Sequence, residues 1–146
     1  MIQRTLFTPE HEIFRESVRK FMEKEVAPYH SQWEKDGQVS REVWLKAGEQ
    51  GFLGMDMPEE YGGYGVDFRY STILIEEQTK VFASGPGFSL HTDIVMQYIL
   101  HYGTDGQKQT YLPRMCKGEI IGAIAMTEPG TGSDLQGIKT TAVLDG

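Results

Sequence analysis

From Ile120 to Met126 the chain reads Ile-Ile-Gly-Ala-Ile-Ala-Met, with no charged side chain, and then breaks into Thr127-Glu-Pro-Gly-Thr-Gly-Ser-Asp134. An apolar run of this length suits one buried strand and is far short of the roughly 20 residues of a membrane span. Pro129 removes a backbone donor, and Gly130 and Gly132 permit backbone angles closed to other residues. The sequence therefore predicts a buried strand that delivers a tight polar turn. Such a turn can aim backbone N–H groups and the hydroxyls of Thr127, Thr131 and Ser133 at a flat or anionic ligand. It can equally join two strands and hold no ligand.

Two phosphate-binding readings of the turn fail. Gly130-Thr-Gly-Ser-Asp-Leu135 opens like a dinucleotide fingerprint but has Leu where the third glycine belongs. The following Ile138-Lys-Thr-Thr-Ala-Val-Leu144 is β-branched and reads as a second strand, whereas that fingerprint needs a helix. No Gly-Lys-Ser or Gly-Lys-Thr is present for a nucleoside-triphosphate loop.

Upstream, the spacing is helical. Thr8 caps a first helix with Pro9 at its first position and Phe14, Val18, Phe21 and Met22 on one face, and Pro28 is expected to stop it. A polar link carries Trp33, and Ser40 caps a second helix ending at Gly51, with Val39 and Trp44 placed as a hydrophobic staple. Gly51 to Val66 holds too many glycines for a helix and reads as a long loop, either bordering a ligand site or merely connecting. Asp67 caps a third helix with Tyr70, Ile73, Leu74 and Val81 on its inner face and Glu76, Glu77 and Lys80 outside. Ser84-Gly-Pro-Gly87 separates it from a fourth, roughly Phe88 to His101, whose apolar girth predicts a buried central helix. A fifth opens with the capping box Thr104-Asp-Gly-Gln107, contains Pro113 and ends at Gly118. Asp145-Gly146 closes the chain on a hairpin signal.

Composition narrows the function. Lys and Arg number 14 against 21 Asp and Glu, for a net charge of −7, the wrong sign for a nucleic-acid binder. A single cysteine, Cys116, excludes a disulfide framework. His11, His30, His91 and His101 show no paired metal-ligand spacing and read as surface or hydrogen-bonded core histidines. Met1 to Thr8 lacks a signal-peptide pattern, and no apolar run of about 18 residues occurs, so neither secretion nor an integral membrane protein is expected.

Ala125-Met-Thr-Glu-Pro-Gly-Thr-Gly-Ser-Asp134, followed by Gly137-Ile-Lys-Thr140, resembles the flavin-binding signature of the acyl-CoA dehydrogenases. Pro58-Glu-Glu-Tyr-Gly-Gly63 and Gly87-Phe-Ser-Leu-His-Thr-Asp-Ile-Val95 are similar to the same family, most closely to its long-chain members, and the motifs follow in family order. The resemblance implies a mainly α chain: an N-terminal all-α helical domain over residues 1–118, then the first two strands of a middle β domain over 119–146. It implies FAD-dependent α,β-dehydrogenation of long-chain fatty acyl-CoA thioesters to trans-2-enoyl-CoA, the opening step of β-oxidation, with a carboxylate taking the α-proton and flavin the hydride.

On the same resemblance Ile124, Ala125, Met126, Thr127, Gly132 and Ser133 contact the cofactor, with Thr127 donating to the flavin ring. Ser133 meets flavin and the acyl-CoA together, and Leu90 and Ile94 line the acyl tunnel, against the alternative of plain core packing. Several relatives have an aromatic where this chain has Ile124, which removes a ring stack. Glu128 and Asp134 are expected to fix the turn rather than react. The catalytic base is a glutamate expected beyond residue 146, so no catalytic residue is assigned here, and the 146 residues alone are expected to be inactive and to hold flavin weakly. The family implies an electron-transferring flavoprotein as partner, a homo-oligomer, often a tetramer, at full length, and bacterial cytoplasm or mitochondrial matrix as compartment. Two alternatives stand: an acyl-CoA oxidase or related flavin oxidase or monooxygenase of the same fold, and a helical interaction module without flavin.

Overall fold

Thr8 and Pro9 start the first helix as expected, because proline has no N–H to lose in the first turn. A computed structural model describes residues 5–145; residues 1–4 and Gly146 lie outside it, and with them the start of the chain and the hairpin signal at its end. Helix α1 (Pro9–Phe21) is closed at its N-terminus by His11, whose Nδ1 accepts the Thr8 N–H at 3.2 Å. Pro28 does not stop the pattern. The chain widens into a π turn, Met22–Val26, and continues as α2 (Ala27–Asp36), ending at Gly37 with φ 67°. A π turn shifts each hydrogen bond by one residue, which accommodates a ring that lacks an N–H and crowds the carbonyl four residues back. Trp33, read as part of a polar link, is instead buried on α2.

Ser40 caps α3 (Arg41–Glu49), its hydroxyl accepting the Glu42 N–H at 3.2 Å, and Val39 packs onto the core. The loop that follows is not a surface connection. Phe52, Leu53, Met55 and Met57 are almost wholly buried, and a short 3₁₀ turn, Glu59–Tyr61, buries Tyr61 as well. Phe52, Leu53 and Met55 join Val18, Phe21, Trp44 and Phe88 in one core cluster, while Met57 and Tyr61 join Met96, Leu112, Met115 and Cys116 in a second. The glycines give this loop its turns: Gly54 sits at φ 61°, and a Cβ there would meet the Cys116 Sγ at 2.6 Å. The loop is the seam between two cores. Cys116, buried in it, has its thiol pushed up to about 11 by burial, which leaves it unreactive at neutral pH.

Asp67 accepts the Arg69 N–H at 2.9 Å and starts α4 (Arg69–Lys80). Glu77 does not face outward. It is 1% exposed and receives Arg15 at 3.0 Å and Lys80 at 2.6 Å, so a buried ion pair ties α4 to α1 where the helical period alone suggested a solvated carboxylate. Next comes a π-helix, Leu90–Met96, running into α5 (Gln97–Tyr102), and then α6 (Asp105–Cys116) with the Thr104–Gln107 capping box in place. The fourth helix is central through only part of its surface. Phe88, His91, Thr92 and Met96 are buried, whereas Leu90, Ile94, Tyr98 and Tyr102 are exposed.

The expected two strands do not form among the described residues. Residues 121–127 and 138–145 belong to no helix and no ladder, and one isolated antiparallel bridge, Glu128 with Thr131, is the whole of the β structure. A ladder needs a neighbouring backbone, and here a side chain takes that place: the Glu128 carboxylate accepts the Lys139 N–H at 2.6 Å and the Thr140 N–H at 3.0 Å. A 3₁₀ turn, Leu135–Gly137, lies between the bridge and the second arm. No described helix is long and apolar enough to cross a membrane.

Candidate functional site

The segment from Ile120 to Asp134 is held at both ends and left open in the middle. At its start, Gly118 turns with φ 70° in a space where any Cβ would overlap the Trp44 carbonyl oxygen, Arg41 donates to the Glu119 carbonyl, and Ile120 N–H reaches the Arg114 carbonyl at 3.3 Å. The last fixed point is Gly122. Its N–H donates to His91 Nδ1 at 2.9 Å, and a Cβ on it would meet Val95 Cγ1 at 2.7 Å and Met115 Cε at 2.9 Å. Glycine is needed there for close approach to the helix that carries His91.

From Ala123 to Thr127 no backbone N–H or carbonyl makes a hydrogen bond among the described residues. Ile124 is half-buried, Ala125 and Thr127 are exposed, and Met126 is 37% exposed, so these amides face solvent. The next fixed point is Glu128. Its N–H and carbonyl pair with Thr131 at 3.1 and 3.0 Å across Pro129-Gly130, and its carboxylate holds Lys139 and Thr140. The Thr140 hydroxyl and the Lys139 amide keep the Glu128 carboxyl below its ordinary value, so it is ionised wherever the protein is folded near neutral pH.

The hydroxyls of the turn divide into two sets. Thr131, buried, donates to the Gly137 carbonyl at 3.0 Å, and Thr140 donates to Glu128 at 2.5 Å. Thr131 is thereby removed from the group expected to face a ligand. Thr127 and Ser133 are exposed, and their hydroxyls make no hydrogen bond among the described residues. Gly130 and Gly132 do not use the left-handed angles open to them, and a Cβ on either would meet nothing within 4 Å. Nothing among the described residues requires glycine at those positions.

Leu90 and Ile94 are each 40% exposed on one side of the π-helix. That helix is the one to which the segment is pinned, through His91 and the tight Val95–Gly122 approach. Leu90 lines a shallow groove with Ile75, Phe82 and Pro86, and a larger apolar groove of about 670 Å³ runs between Tyr98, Ile99, Tyr111 and Ile120 to Ala123. Neither groove gathers Leu90 or Ile94 with Thr127, Gly132 and Ser133.

The residue that sequence reasoning passed over is His91. It is wholly buried, its Nε2 lies 3.2 Å from the Met115 carbonyl, and the Trp44 ring meets it edge-on with centroids 5.4 Å apart. Burial lowers its pKa, and since Nδ1 accepts from Gly122 the neutral ring carries its proton on Nε2. Its one sequence signal was a lone imidazole among apolar residues. The other histidines have separate structural tasks: His11 at the α1 cap, His30 accepting the Gly85 N–H at 3.0 Å, and His101 exposed. Asp56, in the seam loop, accepts from Gln97 at 2.5 Å, leaves its buried Oδ1 without a partner, and is pushed up by burial and by the charge of Asp93.

Residues 8–119 match the family model for the acyl-CoA dehydrogenase N-terminal domain. The chain is 57% identical over 143 residues to the mitochondrial long-chain specific acyl-CoA dehydrogenase of Sus scrofa, covering 98% of this chain and 33% of that protein. Among solved structures, an acyl-CoA dehydrogenase from Geobacillus kaustophilus superposes with a TM-score of 0.91 at 51% identity, over 99% of this chain and 38% of the other. An acyl-CoA dehydrogenase complexed with FAD from Bacillus anthracis superposes at 0.83 and 36% identity, over 94% of this chain and 24% of its own. The chain thus spans about a third of the length of the curated relative it matches.

Proposed function

This chain belongs to the acyl-CoA dehydrogenase family, and from that premise we propose that it is the flavin-facing N-terminal part of an FAD-dependent dehydrogenase of long-chain fatty acyl-CoA thioesters. The observation that carries the reading is the open stretch from Ala123 to Thr127, a row of unpaired backbone donors beside the free hydroxyls of Thr127 and Ser133. A flavin presents a flat, polar edge that such a row fits. When bound, FAD supplies the hydride-accepting chemistry.

The residues of this chain hold and orient. Backbone groups of Ile124, Ala125 and Met126 lie along the ring, and Thr127 donates to it from hydroxyl or amide. Gly132 leaves room for close approach, consistent with the open space around it, and Ser133 stands where cofactor and thioester meet. Leu90 and Ile94, half-exposed beside the pinned segment, present apolar surface to the acyl chain. In this reading residues 1–118 are the helical domain and 119–146 the opening of a middle β domain. No acidic residue here is assigned as the base, so the 146 residues alone carry no turnover. A homo-oligomer, an electron-transferring flavoprotein as acceptor, and a mitochondrial or bacterial cytoplasmic setting belong to the same proposal; the long-chain relative is mitochondrial, and bacterial relatives also match.

The test is the visible spectrum of the full-length protein before and after anaerobic addition of palmitoyl-CoA. A yellow protein that bleaches is the expected result, and a colourless protein, or one whose flavin stays oxidised, contradicts the proposal.

A further inference from the structure

We propose that His91 is a positioning residue for the cofactor segment: its neutral ring, clamped between the Met115 carbonyl and the Gly122 amide, sets where the open donors from Ala123 to Thr127 stand. The inference rests on the flavin reading and gives a role to a residue that the Gly87–Val95 motif contains but to which the resemblance assigned none.

The geometry allows few other anchors. Between Gly122 and Glu128 no backbone group is hydrogen-bonded among the described residues, so the stretch hangs between two pins. The distal pin is the Glu128 turn, which is exposed and closed on residues of its own segment. The proximal pin at His91 ties the segment to the helical core. Five residues can span about 16 Å, so an error at the proximal pin is carried along the whole donor row.

Only certain side chains can fill the position. Met115 lies in the last turn of α6, where its carbonyl takes the Gly118 N–H at 3.0 Å and keeps a second lone pair for the ring, and Gly122 brings an amide that needs an acceptor. A neutral imidazole presents a donor and an acceptor on opposite edges of one rigid ring and satisfies both. The Trp44 ring meets the imidazole edge-on, and the Trp44 backbone carbonyl walls the turn at Gly118, so one residue of α3 borders both the ring and the start of the segment.

Three variants of the full-length protein separate positioning from packing. His91→Asn keeps an acceptor near the Nδ1 position, His91→Gln keeps a donor near Nε2, and His91→Phe keeps only the shape. The readouts are the FAD dissociation constant of the reconstituted apoprotein, the flavin midpoint potential, and amide exchange at Gly122. His91→Phe and His91→Gln are expected to weaken FAD binding and speed Gly122 exchange by about tenfold each, the loss of one buried hydrogen bond. Both variants should also shift the midpoint potential, whereas His91→Asn should stay within about twofold of wild type in binding and exchange. Equal losses in all three variants would reduce His91 to a packing residue and overturn the inference, as would wild-type values in His91→Phe. If His91→Phe does not fold, the Asn and Gln variants decide by the same criterion. A wild-type protein that takes up no FAD overturns the flavin reading instead. Exchange at Gly122 still decides the pin in that case: faster in Gln than in Asn supports it, and equal rates refute it.

Discussion

The helical body and the segment after Gly118 satisfy their backbones in opposite ways. In the body, caps at Thr8, Ser40 and Thr104 and the buried seam loop close hydrogen bonds locally, and two core clusters bury the aromatic and methionine side chains. In the segment, five successive residues, Ala123 to Thr127, have no backbone partner, and the turn that follows is held by a carboxylate. A region that completes itself is built for stability. The segment instead leaves its donors open in a fixed place, and the two regions meet at Gly118 and Gly122.

Substitutions should therefore fall into two groups, costly in folding on one side and nearly silent in folding on the other. Gly118→Ala should cost the most, about 3 kcal/mol or more, because a left-handed angle and an overlap with the Trp44 carbonyl act together. Chemical denaturation would show it, and a loss below about 1 kcal/mol would mean the junction is soft. Glu77→Ala should follow at about 2 kcal/mol, since it opens a hole between α1 and α4 and removes one of the three carboxylates that hold Arg15. Asp56→Asn should stabilise, with a definite dependence on pH. The Asp56 carboxyl is raised in the folded state, so its ionisation costs stability as pH climbs from the ordinary carboxylate value through the raised one. The gain in melting temperature should accordingly be small near pH 3.5 and full at pH 7; the reverse order would contradict the assignment. Smallest in stability is Glu128→Gln. It should leave the melting temperature nearly unchanged yet speed exchange of the Lys139 and Thr140 amides, and a large drop in melting temperature would show that the turn belongs to the body after all.

Much of the body was legible because its signals are local. Thr8-Pro9, Ser40, Asp67 and the Thr104–Gln107 box mark helix starts that the structure reproduces within a residue or two. What was not legible depended on neighbours distant in sequence. Pro28 reads as a stop, and only the π turn before it lets the helix continue. Glu77 reads as solvated until Arg15, from another helix, meets it, and Gly51 to Val66 reads only as a long loop until two cores close over Phe52 and Met57. The site divides in the same way. Thr127 and Ser133 are visible in the motif, but that Thr131 is occupied by Gly137, and that His91 holds Gly122, are facts of three-dimensional contact. The two strands were read from residue type alone, and residue type does not supply a backbone to pair with.

The most direct test of the open segment is residue-resolved amide exchange of the full-length protein with and without FAD. Slowing at Ala123 to Thr127 on FAD loading, with the body from Pro9 to Cys116 unchanged, is the result expected. Bound FAD that leaves exchange over Ala123 to Thr127 unaltered would contradict the claim that these donors face the cofactor.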